Sequence, residues 1–364
     1  MGDVMNRQTY MEISKSNFKY NIEQIKKYVP GKEIMPVIKA NGYGTYINKN
    51  LDLIKDFKYV AVACVCEGIE LRKIGYTGNI FVLNQPYIED IDNIINYDLI
   101  VGVSDINFVR ALSRYDKKVR VHIELETGMG RTGVLEKFLD VFISEINKLD
   151  NIIVEGIYTH FSSADCDYDY TNMQIEIFNR GVKKIKDKID TIKYVHCSAS
   201  NGILNFNVDT CNMVRAGIIM YGYPASDTTL EKINLKPVAI LKSKISFIKE
   251  VSEGISISYG RRFVTDKKMK VATIGIGYAD GIRRSLSNNG YVIINGNKCK
   301  ILGSVCMDSF MVDVTQLDNV SVGDTAYIWD NDLIKLEDLA KLYGTINYEV
   351  LSSIGDRVPR VFID

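Results

Sequence analysis

At 364 residues the chain is long for one ordinary domain and comfortable for two, although a (β/α)8 barrel alone runs to about 250. Hydrophobic residues make up 46% and charged residues 25%, the balance of a globular protein with a sizeable core. Forty-five Lys and Arg against 45 Asp and Glu leave no net field toward nucleic acid or anionic lipid, so the expected partners are small molecules or a second copy.

The opening MGDVMNRQTYMEIS lacks the basic and apolar regions of a signal peptide, and no apolar run approaches membrane-spanning length, so a cytoplasmic location is expected. Ser16 is placed to cap a helix whose Phe18, Ile22, Ile25 and Val29 share one face before Pro30. Strand-like runs follow at 34–39, 58–65, 79–83, 98–103, 119–126, 152–158, 192–197 and 213–220, with helical patterns between them, as at 137–149 and 172–188. Such alternation predicts the α/β class and a parallel (β/α)8, TIM-like barrel over 1–234. From 235 to 364, short alternating runs separated by Gly, Asn and Asp turns predict a C-terminal, mostly β domain, with one short helix near 336–343. Seven cysteines, odd in number and mostly within apolar runs, read as reduced core residues. Cys64-Val-Cys66 lacks zinc-ligand spacing, and no metal is expected.

Barrels carry their chemistry at the C-terminal ends of the strands. Here the first strand is predicted to end on Lys39, ahead of an Asn-Gly-Tyr-Gly turn. Partial desolvation there lowers an ammonium pKa and frees the amine for Schiff-base chemistry, the alternative being a lysine snorkelling to water. The fifth strand runs into TGMGR with Arg131, the sixth into Thr159-His160, the seventh through His196 toward Ser200, and the eighth carries Arg215 before Gly217. The pleat of 119–126 puts Arg120, His122, Glu124 and Glu126 on one face, so Glu124 and Glu126 are expected to point into the barrel mouth.

In order along the chain stand VIKANGYG, ETGMGRTG, THFSSAD, VRAGIIMYG, SYGRRF, IGYADG and VCMDSFMVDVT. Together they resemble the bacterial alanine racemase family, pyridoxal-phosphate enzymes, over essentially the whole chain. The resemblance implies a two-base interconversion of L- and D-alanine feeding peptidoglycan synthesis, in a homodimer whose subunits share each active site. It implies that Lys39 is the Schiff-base lysine and one base, and that Tyr259 of a second copy is the other. Tyr43, Ser200, Tyr348 and the backbone of Gly217 and Ile218 would hold the phosphate, and Arg215 would face the pyridine nitrogen. Because arginine only donates, that nitrogen would stay neutral, a weaker electron sink that disfavours side reactions. His160 would link the tyrosine to the Arg215 charge, since a phenol holds its proton at neutral pH and needs help to act as a base. Arg131 and, from the second copy, the Met307 backbone would hold the substrate carboxylate, with Asp308 beside Met307, and Tyr278 and Tyr348 would narrow the pocket.

Taken singly, the same residues have plainer readings: Ser200 a helix cap, Arg215 a salt bridge, His160 a core histidine and Tyr259 a packing side chain. Two positions depart from the family pattern. Glu124 stands where many members carry a carboxylated lysine, and its charge is expected to orient Arg131. Ala199 stands where an asparagine often precedes the phosphate-binding serine. The alternatives are a racemase preferring serine or a broader set of amino acids, a barrel protein that binds pyridoxal phosphate without racemising, and a decarboxylase of the same fold. Membrane-anchored serine racemases carry asparagine at the Tyr348 position, and a decarboxylase would place a carboxylate where Arg215 stands.

Overall fold

A computed structural model describes residues 7–364; residues 1–6, part of the opening stretch read above against a signal peptide, lie outside it. The chain forms two compact units. One comprises Lys19–Gly42 and Tyr46–Leu235; the other gathers Lys236–Asp364, Tyr43–Thr45 and the described residues up to Phe18. The expected division gave all of 1–234 to the barrel, yet the strand Tyr10–Ser14 pairs with Ala239–Val251 and Arg360–Ile363 in the β unit.

In the first unit, strands Tyr59–Val62, Asn79–Val82, Ile100–Val103, Val119–Glu126, Ile152–Tyr158 and Tyr194–His196 form a continuous parallel ladder. The remaining two, Glu33–Pro36 and Met213–Ala216, pair with each other. Bridging Val37 to Ala61 joins this pair to one end of the ladder. The other end is joined by hydrogen bonds from Asn212 N to Val195 O (3.2 Å) and from Arg215 N to Ser198 O (2.9 Å), which closes the barrel. Runs such as YVAV and IVGV are buried throughout, as parallel strands covered on both faces require. Inside, small residues make room for large ones. A Cβ on Gly156 would lie 2.5 Å from the His122 ring, and one on Gly102 would collide with the Tyr158 hydroxyl.

In the β unit, Met269–Ile274, Phe310–Asp313, Asn297–Leu302, Tyr291–Ile294, Thr325–Trp329 and Ala239–Val251 pair in that order. The 13-residue strand Ala239–Val251 also pairs with Met269–Ile274, so these strands close on themselves. Trp329 is fully buried in this unit and donates Nε1–H to Ala239 O at 3.0 Å.

Several boundaries differ from expectation. The first barrel strand ends at Pro36, not on Lys39. The helix Lys15–Tyr28 is capped by Ser14, whose Oγ accepts from Asn17 N at 3.1 Å, rather than by Ser16. Helix Leu139–Ile146 is shorter than its apolar pattern, and Tyr168–Lys186 begins earlier because Asp167 caps it through Tyr170 N. Of the cysteines, Cys64, Cys66 and Cys166 are exposed; only Cys197, Cys211 and Cys299 are buried.

Candidate active site

Lys39 leaves the first barrel strand half-buried, just after Ile38 N donates to Ala61 O at 2.9 Å. Burial lowers the pKa of its amine, and the charges of Arg131 and Arg215 push the same way against the carboxylate of Glu67. Beyond it the backbone turns left-handed at Ala40, Asn41 and Gly42, with φ of 52°, 52° and 60°. The ammonium is therefore presented by a turn.

The fifth strand ends as its pleat predicts. His122 and Glu124 are buried inside the barrel, while Leu125 on the other face meets the Gly181 position of helix Tyr168–Lys186. Glu126 does not stand free in the mouth. Its carboxylate accepts from Gly128 N (2.5 Å) and Gly130 N (3.0 Å) and so shapes the glycine loop that leads to the exposed Arg131.

Glu124, only 3% exposed, is hydrogen-bonded to Tyr158 and Thr132 and feels Arg131 through space. Burial raises its pKa more than those neighbours lower it. Tyr158 Oη lies 2.9 Å from Leu83 O and 3.1 Å from Glu124 Oε2, and one phenolic proton cannot serve both. A protonated Glu124 would resolve the conflict by donating to the phenol. Glu124→Gln is accordingly expected to keep near-normal kinetics, whereas Glu124→Ala raises KM several-fold. Steady-state assays of both variants check this: equal impairment would show that the negative charge is what matters.

Arg215 is 2% exposed, and its two terminal nitrogens, Nη1 and Nη2, are engaged by the protein. It donates to Thr159 O (2.8 Å), Cys197 O (2.9 Å), His196 O (3.1 Å), His196 Nδ1 (2.8 Å) and His160 Nδ1 (3.1 Å). Since a guanidinium only donates, both Nδ1 atoms are unprotonated. The His196 proton therefore sits on Nε2 and is donated to His122 Nδ1 at 2.9 Å. His122 in turn carries its proton on Nε2, 3.8 Å from Glu155 Oε1. By the same reasoning His160 keeps Nε2–H free of Arg215. Burial, then Arg215, Arg131 and Lys39, push the His160 pKa down to about 3, so it is neutral.

Ser200 opens the short helix Ser200–Asn205, but it does not act as the cap, which falls on Ala199. Its Oγ is buried with no hydrogen-bond partner among the described residues. Gly217 precedes the one-turn helix Ile218–Tyr221, whose first N–H groups have no intrahelical acceptor.

The other expected residues lie in the β unit. Tyr43 and Tyr348 stand with ring centroids 5.9 Å apart. Tyr259 is 73% exposed and follows Ser258, whose φ of 67° is held by its Oγ donating to Ser304 O at 2.6 Å. Tyr278 and Met307, both exposed, are carried by adjoining segments, because Tyr278 N donates to Cys306 O and Ala279 N to Met307 O, each at 3.0 Å. A Cβ on Gly277 would collide with the carbonyls of Cys306 and Met307, so only glycine permits this approach. Arg357 holds Asp308 at 2.6 Å.

Sequence reasoning missed Glu67, which binds Ala40 N and Ala63 N. Its one legible signal is its place in the first turn of helix Val65–Lys73, where carboxylates reach back to preceding N–H groups. Among the described residues no cluster of three or more His, Cys, Asp or Glu could hold a metal, and no helix is long and apolar enough to cross a membrane.

A (β/α)8 barrel with a rim lysine and an arginine-held histidine chain, joined in one sequence to a closed β unit, defines a two-domain barrel class. The family described as alanine racemase, N-terminal domain, matches residues 13–225, and alanine racemase, C-terminal domain, matches 238–362. The chain is 37% identical to the alanine racemase of Carboxydothermus hydrogenoformans over 98% of its length and 100% of that protein. It is also 37% identical to alanine racemase 1 of Clostridium acetobutylicum, over 98% and 96%. Among solved structures, the alanine racemase of Clostridium difficile 630 superposes with a TM-score of 0.90 at 36% identity, covering 99% of this chain and 97% of that one. The Bacillus anthracis alanine racemase with bound L-Ala-P gives 0.92 at 32%, covering 100% and 96%. The chain belongs to the alanine racemase family.

Proposed function

We propose that this protein interconverts L- and D-alanine inside the cell with pyridoxal phosphate as its cofactor, supplying D-alanine for peptidoglycan. One observation carries the reading: in a chain of this family, a half-buried Lys39 has its pKa held down by burial and by Arg131 and Arg215. The residues present fit the cofactor. Ser200 offers a buried hydroxyl without a partner among the described residues, and Gly217 and Ile218 stand at a helix opening; both suit a phosphate. Tyr43 and Tyr348 would add their phenols there. When bound, pyridoxal phosphate withdraws electrons from the α-carbon of the amino acid and makes its proton removable.

The rest follows from the side chains. Unprotonated, Lys39 takes or returns the α-proton on one face, and Tyr259 from a second copy in a homodimer does so on the other. His160, fixed by Arg215 at Nδ1, presents Nε2 toward the second base. Because a guanidinium only donates, Arg215 would hold a pyridine nitrogen in its neutral form. Arg131 and, from the second copy, the Met307 N–H hold the substrate carboxylate, with Asp308 beside Met307, while Tyr278 and Tyr348 restrict the side chain to a small one.

The test is α-proton exchange in heavy water, followed by NMR and chiral analysis on a panel of single amino acids. Both alanine enantiomers are expected to lose the α-proton and give racemic product, faster than serine does. Tyr259→Phe should bind cofactor normally but exchange mainly one enantiomer. No exchange with any amino acid, despite bound cofactor, would overturn the proposal.

A further inference from the structure

Five consecutive residues after Lys39 adopt left-handed backbone: Ala40, Asn41, Gly42, Tyr43 and Gly44, with φ of 52°, 52°, 60°, 54° and 78°. This conformation is unfavourable for any residue with a Cβ, and Ala40, unlike Asn41, has no polar side chain to compensate locally. Backbone bonds tie down part of the turn. Ile38 N donates to Ala61 O, Gly42 N to Ile38 O at 3.0 Å and Tyr46 N to Asn41 O at 2.8 Å. The Ala40 N–H goes instead to a side chain 27 residues away, Glu67 Oε1, at 2.6 Å. The second oxygen of the same carboxylate accepts from Ala63 N at 2.7 Å, just beyond the neighbouring strand Tyr59–Val62. Glu67 lies in the first turn of helix Val65–Lys73, where the helix dipole favours a negative charge.

We infer that Glu67 is a positioning residue for Lys39: its carboxylate stitches Ala40 to Ala63 and fastens the left-handed turn that displays the amine. Both oxygens are committed to backbone N–H groups, so the carboxylate is held in place and acts on the lysine as a fixed charge. The charged and titratable groups around Lys39 are Glu67, Arg131, Arg215 and His160, and Glu67 is the one that raises the lysine pKa. Geometry and charge thus act together. The turn aims the amine, and the carboxylate that fastens the turn offsets part of the effect of the two arginines. The importance of this for turnover rests on the role proposed for Lys39, but the contact itself does not.

The experiment uses the full chain freed of cofactor. Amide hydrogen exchange, followed by NMR, should find Ala40 and Ala63 protected in the unmodified protein. Exchange at Ala40 should accelerate at least about tenfold in Glu67→Gln and Glu67→Ala, since a hydrogen bond to a charged acceptor is lost. In parallel, the pH dependence of Lys39 acylation by an amine-selective reagent is read by peptide mass spectrometry. Its midpoint should move to lower pH in Glu67→Gln and Glu67→Ala, but stay near the original in Glu67→Asp, which keeps the charge while loosening the turn. A merely structural role would not move the midpoint. An Ala40 amide exchanging at the open-chain rate in the unmodified protein overturns the inference even if no variant folds, and so does an unchanged midpoint in Glu67→Gln. Neither readout involves racemisation. If Lys39→Ala bound pyridoxal phosphate normally, the functional reading would fail while the Glu67 contact stood.

Discussion

Lys39→Ala is expected to lose the visible absorbance change that accompanies pyridoxal phosphate binding and to reduce turnover of both alanine enantiomers by at least about 10⁴-fold. Lys39 joins two properties that other side chains here lack. It is nucleophilic when neutral, and its surroundings favour the neutral amine, because burial and the charges of Arg131 and Arg215 outweigh Glu67. Lys39→Arg sharpens the test. It keeps a cation at the rim but stays protonated and cannot supply a free amine, so it should be as inactive as the alanine variant. Spectrophotometric titration with pyridoxal phosphate, alongside racemisation assays, measures both effects. An absorbance change retained in either variant would exclude Lys39 as the attachment point and would redirect attention to another amine.

How far the sequence carried depended on whether a feature is local. The barrel strands were legible because each is a short apolar run rich in β-branched residues and buried on both faces, a pattern fixed within a few positions. Strand ends were less so. The run 34–39 reads as one strand through Lys39, but Ala40 already has a φ of 52°, and an alanine carries no signal for that conformation. Asn41, Gly42 and Gly44 do, and they announced only a turn. The same limit explains the cysteines. Cys64 and Cys66 sit in an apolar stretch, yet the chain passes from strand to helix between Val62 and Val65, which brings both thiols to the surface.

Long-range contacts were the least legible. The motifs marked His160 and Arg215, and the rim rule marked His196. Nothing in local spacing reveals that Arg215 donates to both histidines, or that His196 Nε2–H donates to His122, 74 residues earlier in the chain. Glu124 was legible as a barrel-facing carboxylate, but its partners, Tyr158 and Thr132, arise from strand pairing and loop closure. The sequence therefore marked candidate residues at strand ends, whereas the wiring that sets protonation states needed the fold.

That wiring has a consequence for acid stability. All three histidines of the chain, His122, His160 and His196, belong to the Arg215 network, and burial is the main cause lowering each pKa. In the unfolded chain each titrates near 6.5. Below that pH the unfolded state takes up protons that the folded barrel refuses, so stability is fully present above about pH 6.5 and falls as the solution is acidified. For His160 the loss continues until its folded value of about 3. Each histidine contributes up to about 1.4 kcal/mol per pH unit within its window, and the three together up to about 4 kcal/mol per unit. The urea midpoint of the far-ultraviolet helical signal is therefore expected to drop steeply between pH 6.5 and 5, before most carboxylates titrate. His122→Gln supplies the control, because its amide oxygen can still accept from His196 while one titrating group is removed. Its slope should be about two-thirds of the original even if its midpoint at pH 7.5 is lower. A midpoint independent of pH across this window would mean that the histidines take up protons in the folded state, and the one-way chain of hydrogen bonds from Arg215 would then be wrong.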